Sequence, residues 1–295
     1  DSTVINLYKV LKSALAIQAG RNIILTTEDN FPADLYIAEG IAKVKVVKTE
    51  ELYQHINEQV ALVMLSHVNY RDAAVLDMKA INDYCHDYGV LNVWDLSHSV
   101  GIVPLDLEQS EIDFAVACTY KYLSGGPGSP AMIYVNTKYH SLLKTPIQGW
   151  MGHQNPFDFS SKYKSCGMKQ MLTGTPAILS MKSLQGALAL FDSSLIKDVY
   201  QKAQGYHQKM KNAFTHLGIE VAMPKKHGGH VGLSHDYAYQ ISRALIHMGI
   251  SCDYRSPNLI RLCINPLYLL AADIDICIAT ITLIMEQKIY LQPAF

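Results

Sequence analysis

The sequence predicts an α/β protein: a large, mostly parallel central sheet with helices on its faces, followed by a small C-terminal α/β domain. Three observations carry this. Short apolar runs of strand length alternate with amphipathic helical segments, the pattern of strands joined by crossover helices. Two of the runs, Leu91–Asp95 (LNVWD) and residues 113–118 (DFAVAC), are nearly continuous in apolar residues, as strands covered on both faces are. The 295-residue length, with 49% hydrophobic residues, is enough for one large domain and a smaller companion.

The chain opens on Asp1-Ser2-Thr3, whose hydroxyls suit the N-terminus of a helix over residues 4–18. The free N–H groups of such a helix start also favour an anion. A short strand is expected at 22–26. Pro32 then begins a helix, and Phe31 before it reads as a core residue or a stacking surface, with core the better reading of that residue alone. Strands follow at 44–47 and 60–66, the second ending in polar residues from Ser66 to Tyr70. A helix at 77–86 leads to the strand at 91–95. After the strand at 113–118 comes another at 131–135. Residues 148–158 (QGWMGHQNPFD) read as a long loop that carries Trp150. The loop region ends at 172–176, where Pro176 opens a helix running toward Phe191. A second helix covers 196–217. The boundary is placed near 192–194, giving a large domain over 1–192 and a small one over 193–295. In the small domain, strands are expected at 220–223, 230–233 and 259–264, and helices at 236–248 and 271–288.

In a parallel sheet, ligands sit outside the carboxyl ends of the strands. Asp95 closes one strand, and Lys121 follows the next, just before the small-residue loop at 124–128 (SGGPG). Each alone reads as structural, a helix-capping acid and a surface lysine. Together they meet in one crevice with the pair of groups that pyridoxal 5'-phosphate (PLP) requires. A partly desolvated lysine forms a Schiff base, and an acid holds the pyridine nitrogen protonated. Arg261, on the apolar strand LIRLCI, needs an anion: either a neighbouring carboxylate or the carboxylate of a substrate. His227, His230 and His235 match no zinc-site spacing, so no metal is expected.

A net charge of −1 argues against nucleic acid as a partner. No apolar run reaches membrane-spanning length, and the start does not read as a signal peptide. Six cysteines lie scattered without CxxC spacing, as reduced thiols of a cytoplasmic protein do. The chain lacks an initial Met and enters a helix at once, so it reads as a truncated form of a longer protein.

Eight segments, in order, resemble the kynureninase family: DSTVINLYKVL, NFPADLYIAEG, SHVNYRDA, VWDLSHSVGIVPLDL, CTYKYLSGGPGSPA, GWMGH, LTGTP and IRLCINPLY. The resemblance extends over essentially the whole chain. It implies a PLP enzyme of the aspartate aminotransferase fold (fold type I, class V aminotransferase-like) that lacks the family's N-terminal segment. Lys121 would hold PLP, Asp95 would face its ring nitrogen, and Phe31 would stack on the ring. Ser2, Thr3 and Tyr120 resemble phosphate ligands. Ser66 stands near the ring hydroxyl, and Asp34 matches an acid near the cofactor. His98 resembles a substrate-pocket residue, and Arg261 the arginine that binds the substrate α-carboxylate. Trp150 and Thr175 would complete the neighbouring site of a homodimer. The implied reaction is hydrolysis of L-kynurenine or 3-hydroxykynurenine to the anthranilate and L-alanine; Tyr120, from its position beside Lys121, is the candidate to donate or relay a proton near the carbonyl. IRLCINPLY is less aromatic than in some bacterial members. A cysteine-desulfurase-like reaction would need a reactive loop cysteine, and Cys166 has no activating neighbour in the sequence. A PLP-free interaction or structural protein is the reading of another class, and intact Lys121, Asp95 and Arg261 argue against such decay.

Overall fold

Ser2 begins the first helix: its hydroxyl accepts the Ile5 N–H at 3.4 Å, and α1 (Thr3–Ile17) follows. The structure is a computed structural model and describes residues 1–292. The chain divides into two compact units. The first comprises Asp1–His67, Asp77–Val100 and Leu105–Leu190. After α1 it contains β1 (Ile23–Thr27), α2 (Pro32–Glu39), β2 (Lys43–Val47), α3 (Leu52–His55), β3 (Val60–Ser66), α4 (Met78–Asp87), β4 (Leu91–Asp95), β5 (Phe114–Ala117), β6 (Met132–Val135) and α5 (Ile178–Leu188).

The six strands lie in the order β2-β1-β3-β4-β5-β6. All neighbours pair in parallel except β5 and β6. The expected α/β fold with a large, mostly parallel sheet is therefore the fold observed. β3, β4 and β5 are buried almost end to end, which is why their sequences are apolar without alternation. α1 places Leu7, Val10, Leu11 and Ala14 in one core with Ile24, Leu62, Met64, Val93 and Phe114. At the amino end of β5, the buried Asp113 carboxylate accepts from the Asn92 N–H (3.0 Å), the Tyr139 hydroxyl (3.0 Å), Lys138 (2.8 Å) and His86 (2.9 Å). Burial raises its pKa, but the bonds from His86 and Lys138 outweigh that and hold it below the usual carboxylate range. Between β6 and α5 the chain forms short 3₁₀ turns at Trp150–Gly152, Pro156–Asp158 and Gly167–Met171.

The second unit comprises Val68–Leu76, Gly101–Pro104 and the chain from Phe191 on. Asp192 caps α6 (Ser193–Phe214) by accepting the Leu195 N–H at 2.7 Å. Then come β7 (Glu220–Ala222), β8 (His230–Ser234), α7 (Ala238–His247), β9 (Asp253–Arg255), β10 (Leu259–Cys263) and α8 (Ala271–Glu286). The four strands form an antiparallel sheet in the order β7-β8-β10-β9. Met210, Phe214, Leu233, Ile241, Ile260 and Ile281 belong to its core. The excursion Val68–Leu76 joins this unit through the Gly228 N–H on the Ala73 carbonyl (2.8 Å) and the Val75 N–H on that of Lys226 (3.1 Å). Gly228 admits no side chain, since a Cβ there would lie 2.6 Å from a Val68 methyl. His207 and His227 pack ring to ring at 4.8 Å, and among the described residues no three candidate ligands gather as a metal site.

Candidate active site

Strand register brings the site together. β3 and β4 pair so that Ser66 lies beside Asp95, and β4 and β5 so that Asp95 lies beside Val116. The chain leaving β5 passes through Cys118 and Thr119 to Tyr120 and Lys121. Thr119 fixes this exit. Its hydroxyl donates to the Pro130 carbonyl (2.7 Å) and shares a second bond with the Ser129 hydroxyl (2.7 Å), while its carbonyl accepts the Gly125 N–H (2.9 Å). The loop after Lys121 thus folds back on the strand end. Gly126 and Gly128 take φ values of +84° and +74°, which side chains rarely adopt.

Asp95 is buried, and its Oδ1 accepts the Ser97 N–H at 2.8 Å. Ser97 is itself held, because its Oγ accepts the Cys118 N–H at 3.0 Å. Burial pushes the Asp95 pKa up, against the Ser97 bonds and the Lys121 charge. Asp34, in the first turn of α2, is buried too. Burial first, and the Asp95 charge second, push its pKa well above the carboxylate range, while Lys121 pulls it down. Two buried acids beside one lysine do not both ionise at low cost. Of the two, Asp95 has the Ser97 N–H to stabilise its charge. Asp34 Oδ2 is a buried atom with no hydrogen-bond partner among the described residues. The Lys121 ammonium lies 3.2 Å from His98 Nε2 and 3.5 Å from Nδ1.

Asn30 organises the neighbouring wall. Its Oδ1 accepts the Ser66 hydroxyl (2.5 Å), the Ser66 N–H (3.0 Å) and the Phe31 N–H (2.9 Å), and its amide donates to Thr26 Oγ1 (3.0 Å). The Ser66 hydroxyl proton is thereby committed, which leaves its oxygen free to accept. Phe31 is half-buried at the start of α2. Tyr120 is exposed over about half its surface, and partial desolvation of its phenol, with Cys118 nearby, raises its pKa.

The structure thus gathers Asp34, Asp95, His98 and Lys121 into one interacting group, with Ser66 beside Asp95 and Phe31 linked to Ser66 through Asn30. Ser2 and Thr3 stand at the start of α1. Trp150, edge-on to Phe157 at 5.9 Å, and Thr175 stand exposed on the long segment between β6 and α5. Arg261, in the second unit, donates through Nε and Nη2 to Asp253 (3.0 and 2.5 Å) and through Nη1 to the Tyr70 carbonyl (2.7 Å).

Residues 201–281 match the family model described as the kynureninase C-terminal domain. Kynureninase of Pseudomonas fluorescens is 36% identical over 315 residues, an alignment that covers 100% of this chain and 76% of that protein. Kynureninase of Deinococcus radiodurans is 35% identical, with 97% and 73% covered. The chain belongs to the kynureninase family. Solved structures that share its fold include an apo cysteine desulfurase from Thermococcus onnurineus NA1, with a TM-score of 0.83 at 16% identity over 97% of this chain and 78% of that one. A C-DES mutant with glycine covalently linked to its PLP cofactor has a TM-score of 0.82 at 18% identity, over 95% and 79%. At that distance the likeness is one of fold.

For this member of the kynureninase family, sequence reasoning passed over the residues that orient the others: Asn30, Ser97, Thr119 and Asp253. Asn30 had a readable signal, since Asn at a strand exit directly before Phe-Pro is placed to bond its own turn. Asp253 had none, because its contact with Arg261 depends on the pairing of β9 with β10.

Proposed function

We propose that this chain is a PLP-dependent kynureninase, hydrolysing L-kynurenine or its 3-hydroxy form to the corresponding anthranilate and L-alanine. The observation that carries the reading is the group Asp95, His98 and Lys121 after β4 and β5, with Asp34 of α2 interacting with it, in a chain of this family. The residues fit the cofactor. Lys121 offers an amine, Asp95 a buried carboxylate, Ser66 an oriented oxygen, and Asp34 Oδ2 a buried polar atom that a bound polar ligand satisfies. When bound, PLP supplies an electrophilic carbon for the substrate amine and an electron sink for charge at Cα.

The chain's own residues supply the rest. Lys121 would hold the cofactor through its amine, and that amine is the base placed to move the substrate Cα proton. His98, within hydrogen-bond distance, orients that amine. Asp95 would keep the ring nitrogen protonated, and Phe31 would cover a ring face. Ser2, Thr3 and Tyr120 would hold the phosphate, Tyr120 would relay a proton near the substrate carbonyl, and Arg261 would take the α-carboxylate. The six free thiols fit the cytoplasmic location we infer.

Borohydride reduction of the PLP-loaded protein, followed by peptide mapping, is expected to label Lys121, and the loaded protein is expected to release anthranilate from kynurenine. Label on another lysine would sink the assignment.

The same reading includes a homodimer with shared sites. α5 buries none of its residues. Leu179 is 88% exposed and Phe159, on the preceding segment, 82%, with Ile178, Met181 and Phe157 also exposed. Apolar surface of this extent marks an interface, and twofold pairing is the commonest assembly. Lys121→Ala and Trp150→Ala, each inactive alone, are expected to regain activity when mixed under subunit exchange, because one site of the mixed dimer then carries both native residues. Mixed dimers that form yet stay inactive would remove sharing through Trp150.

A further inference from the structure

Lys9 lies on α1 at 1% exposure. A buried ammonium is costly unless it is paired and hydrogen-bonded. Lys9 Nζ donates to Asp1 Oδ2 (2.8 Å) and to the Met171 carbonyl (2.8 Å). The same Asp1 oxygen accepts the Thr173 hydroxyl at 2.9 Å, and the Asp1 carbonyl accepts the Ala131 N–H at 2.8 Å.

Thr173 carries the connection further. Its carbonyl accepts the Met151 N–H at 3.0 Å. Gly149 lies so close that a Cβ there would meet the Thr173 carbonyl oxygen at 2.2 Å. One buried ammonium therefore ties together three pieces of chain. They are Asp1, directly before Ser2 and Thr3, the segment that runs from Met171 through Thr173 to Thr175, and, through Thr173, the turn that opens on Trp150. Ser2, Thr3, Thr175 and Trp150, on those pieces, are the residues assigned above to the cofactor phosphate or to the neighbouring site. An apolar side chain of similar length would fill the space under α1, but it would leave the Met171 carbonyl without its donor and the Asp1 carboxylate without its counter-charge.

We propose that Lys9 is a positioning residue for the cofactor phosphate: its charge, without touching the ligand, fixes the start of α1 against the segment that carries Thr173. This rests on the reading of Ser2 and Thr3 as phosphate ligands. Phosphate capture at a helix start depends on the aim of a few N–H and hydroxyl groups. Loosening the start of α1 therefore weakens binding of PLP and leaves binding of pyridoxal, which has no phosphate, unchanged.

The test titrates the apo protein with PLP and, separately, with pyridoxal, following the visible absorbance of the bound aldehyde. Lys9→Met is expected to raise the dissociation constant of PLP by about tenfold or more, the scale of a lost charge-assisted hydrogen bond, and to shift that of pyridoxal by less than about twofold. Asp1→Asn, which keeps Lys9 and neutralises its counter-charge, is expected to move PLP in the same direction. It serves as the test if Lys9→Met does not fold. Ser2→Ala combined with Thr3→Val reports on the underlying reading. If this pair weakens PLP selectively and the Lys9 and Asp1 variants do not, Lys9 is not a positioning residue, while the phosphate reading stands. If the pair leaves PLP unaffected, the phosphate reading fails and the proposal falls with it. Equal losses for PLP and pyridoxal, or failure of both Lys9→Met and Asp1→Asn to fold, assign Lys9 to the fold alone and overturn the proposal.

Discussion

Asp95→Asn is expected to retain bound PLP and lose about a thousandfold in turnover, roughly 4 kcal/mol of transition-state stabilisation, the scale of a buried charge left without its partner. The substitution is nearly isosteric. The amide oxygen of the replacement side chain can still accept the Ser97 N–H, which Asp95 holds at 2.8 Å, so the end of β4 and its register with Ser66 are kept. What disappears is the negative charge that keeps the ring nitrogen protonated. Asp34 is the natural control. With position 95 neutral, Asp34 loses the like charge that contributes to its raised pKa and ionises more readily, yet it gains no backbone donor to hold it in place. Turnover of Asp95→Asn and Asp34→Asn, measured at saturating PLP, separates the two acids. Unchanged turnover in Asp95→Asn with loss in Asp34→Asn would exchange their roles.

The strand ends that carry Asp95 and Lys121 were legible because strands buried on both faces need apolar side chains at every position, which makes their limits abrupt. β4 ends at Asp95 for that reason, and Lys121 follows the next such run. The residues that aim these groups were not legible. Ser97, Asn30 and Thr119 act through hydrogen bonds to Asp95, Ser66 and the loop around Gly125, and those contacts depend on register and loop closure. Helix starts were legible only to within a turn. Pro176 was read as opening α5, which begins at Ile178, and α6 starts at Ser193 because Asp192 caps it ahead of the first apolar residue. β9 escaped because Asp-Tyr-Arg has neither the length nor the apolar content of a strand, and it forms only as a partner to β10. The excursions Val68–Leu76 and Gly101–Pro104, which leave the first unit for the second, have no compositional signal at all.

Missing β9 also hid what holds Arg261, which bears on the second large effect. Arg261 has 15% of its side chain exposed, and three donor contacts are already made, two to Asp253 and one to the Tyr70 carbonyl. A guanidinium carries more donors than these, in a planar fork, so Asp253 fixes the orientation of Arg261 without exhausting it. Arg261→Leu is expected to raise the kynurenine KM by about a hundredfold or more, within the roughly 2–5 kcal/mol range for truncating one side of a buried charge pair, and to leave the visible spectrum of bound PLP intact. The fold should tolerate the change, since Asp253 keeps Arg255 at 2.9 Å. Arg261→Lys is expected to recover only part of the loss, because a lysine keeps the charge but not the fork. The decisive comparison is between kynurenine and its decarboxylated analogue. If Arg261 reads the carboxylate, the variant loses affinity for the first and not for the second. Equal affinities in variant and parent, accompanied by a drop in melting temperature, would show that the pair with Asp253 is the whole of what Arg261 does.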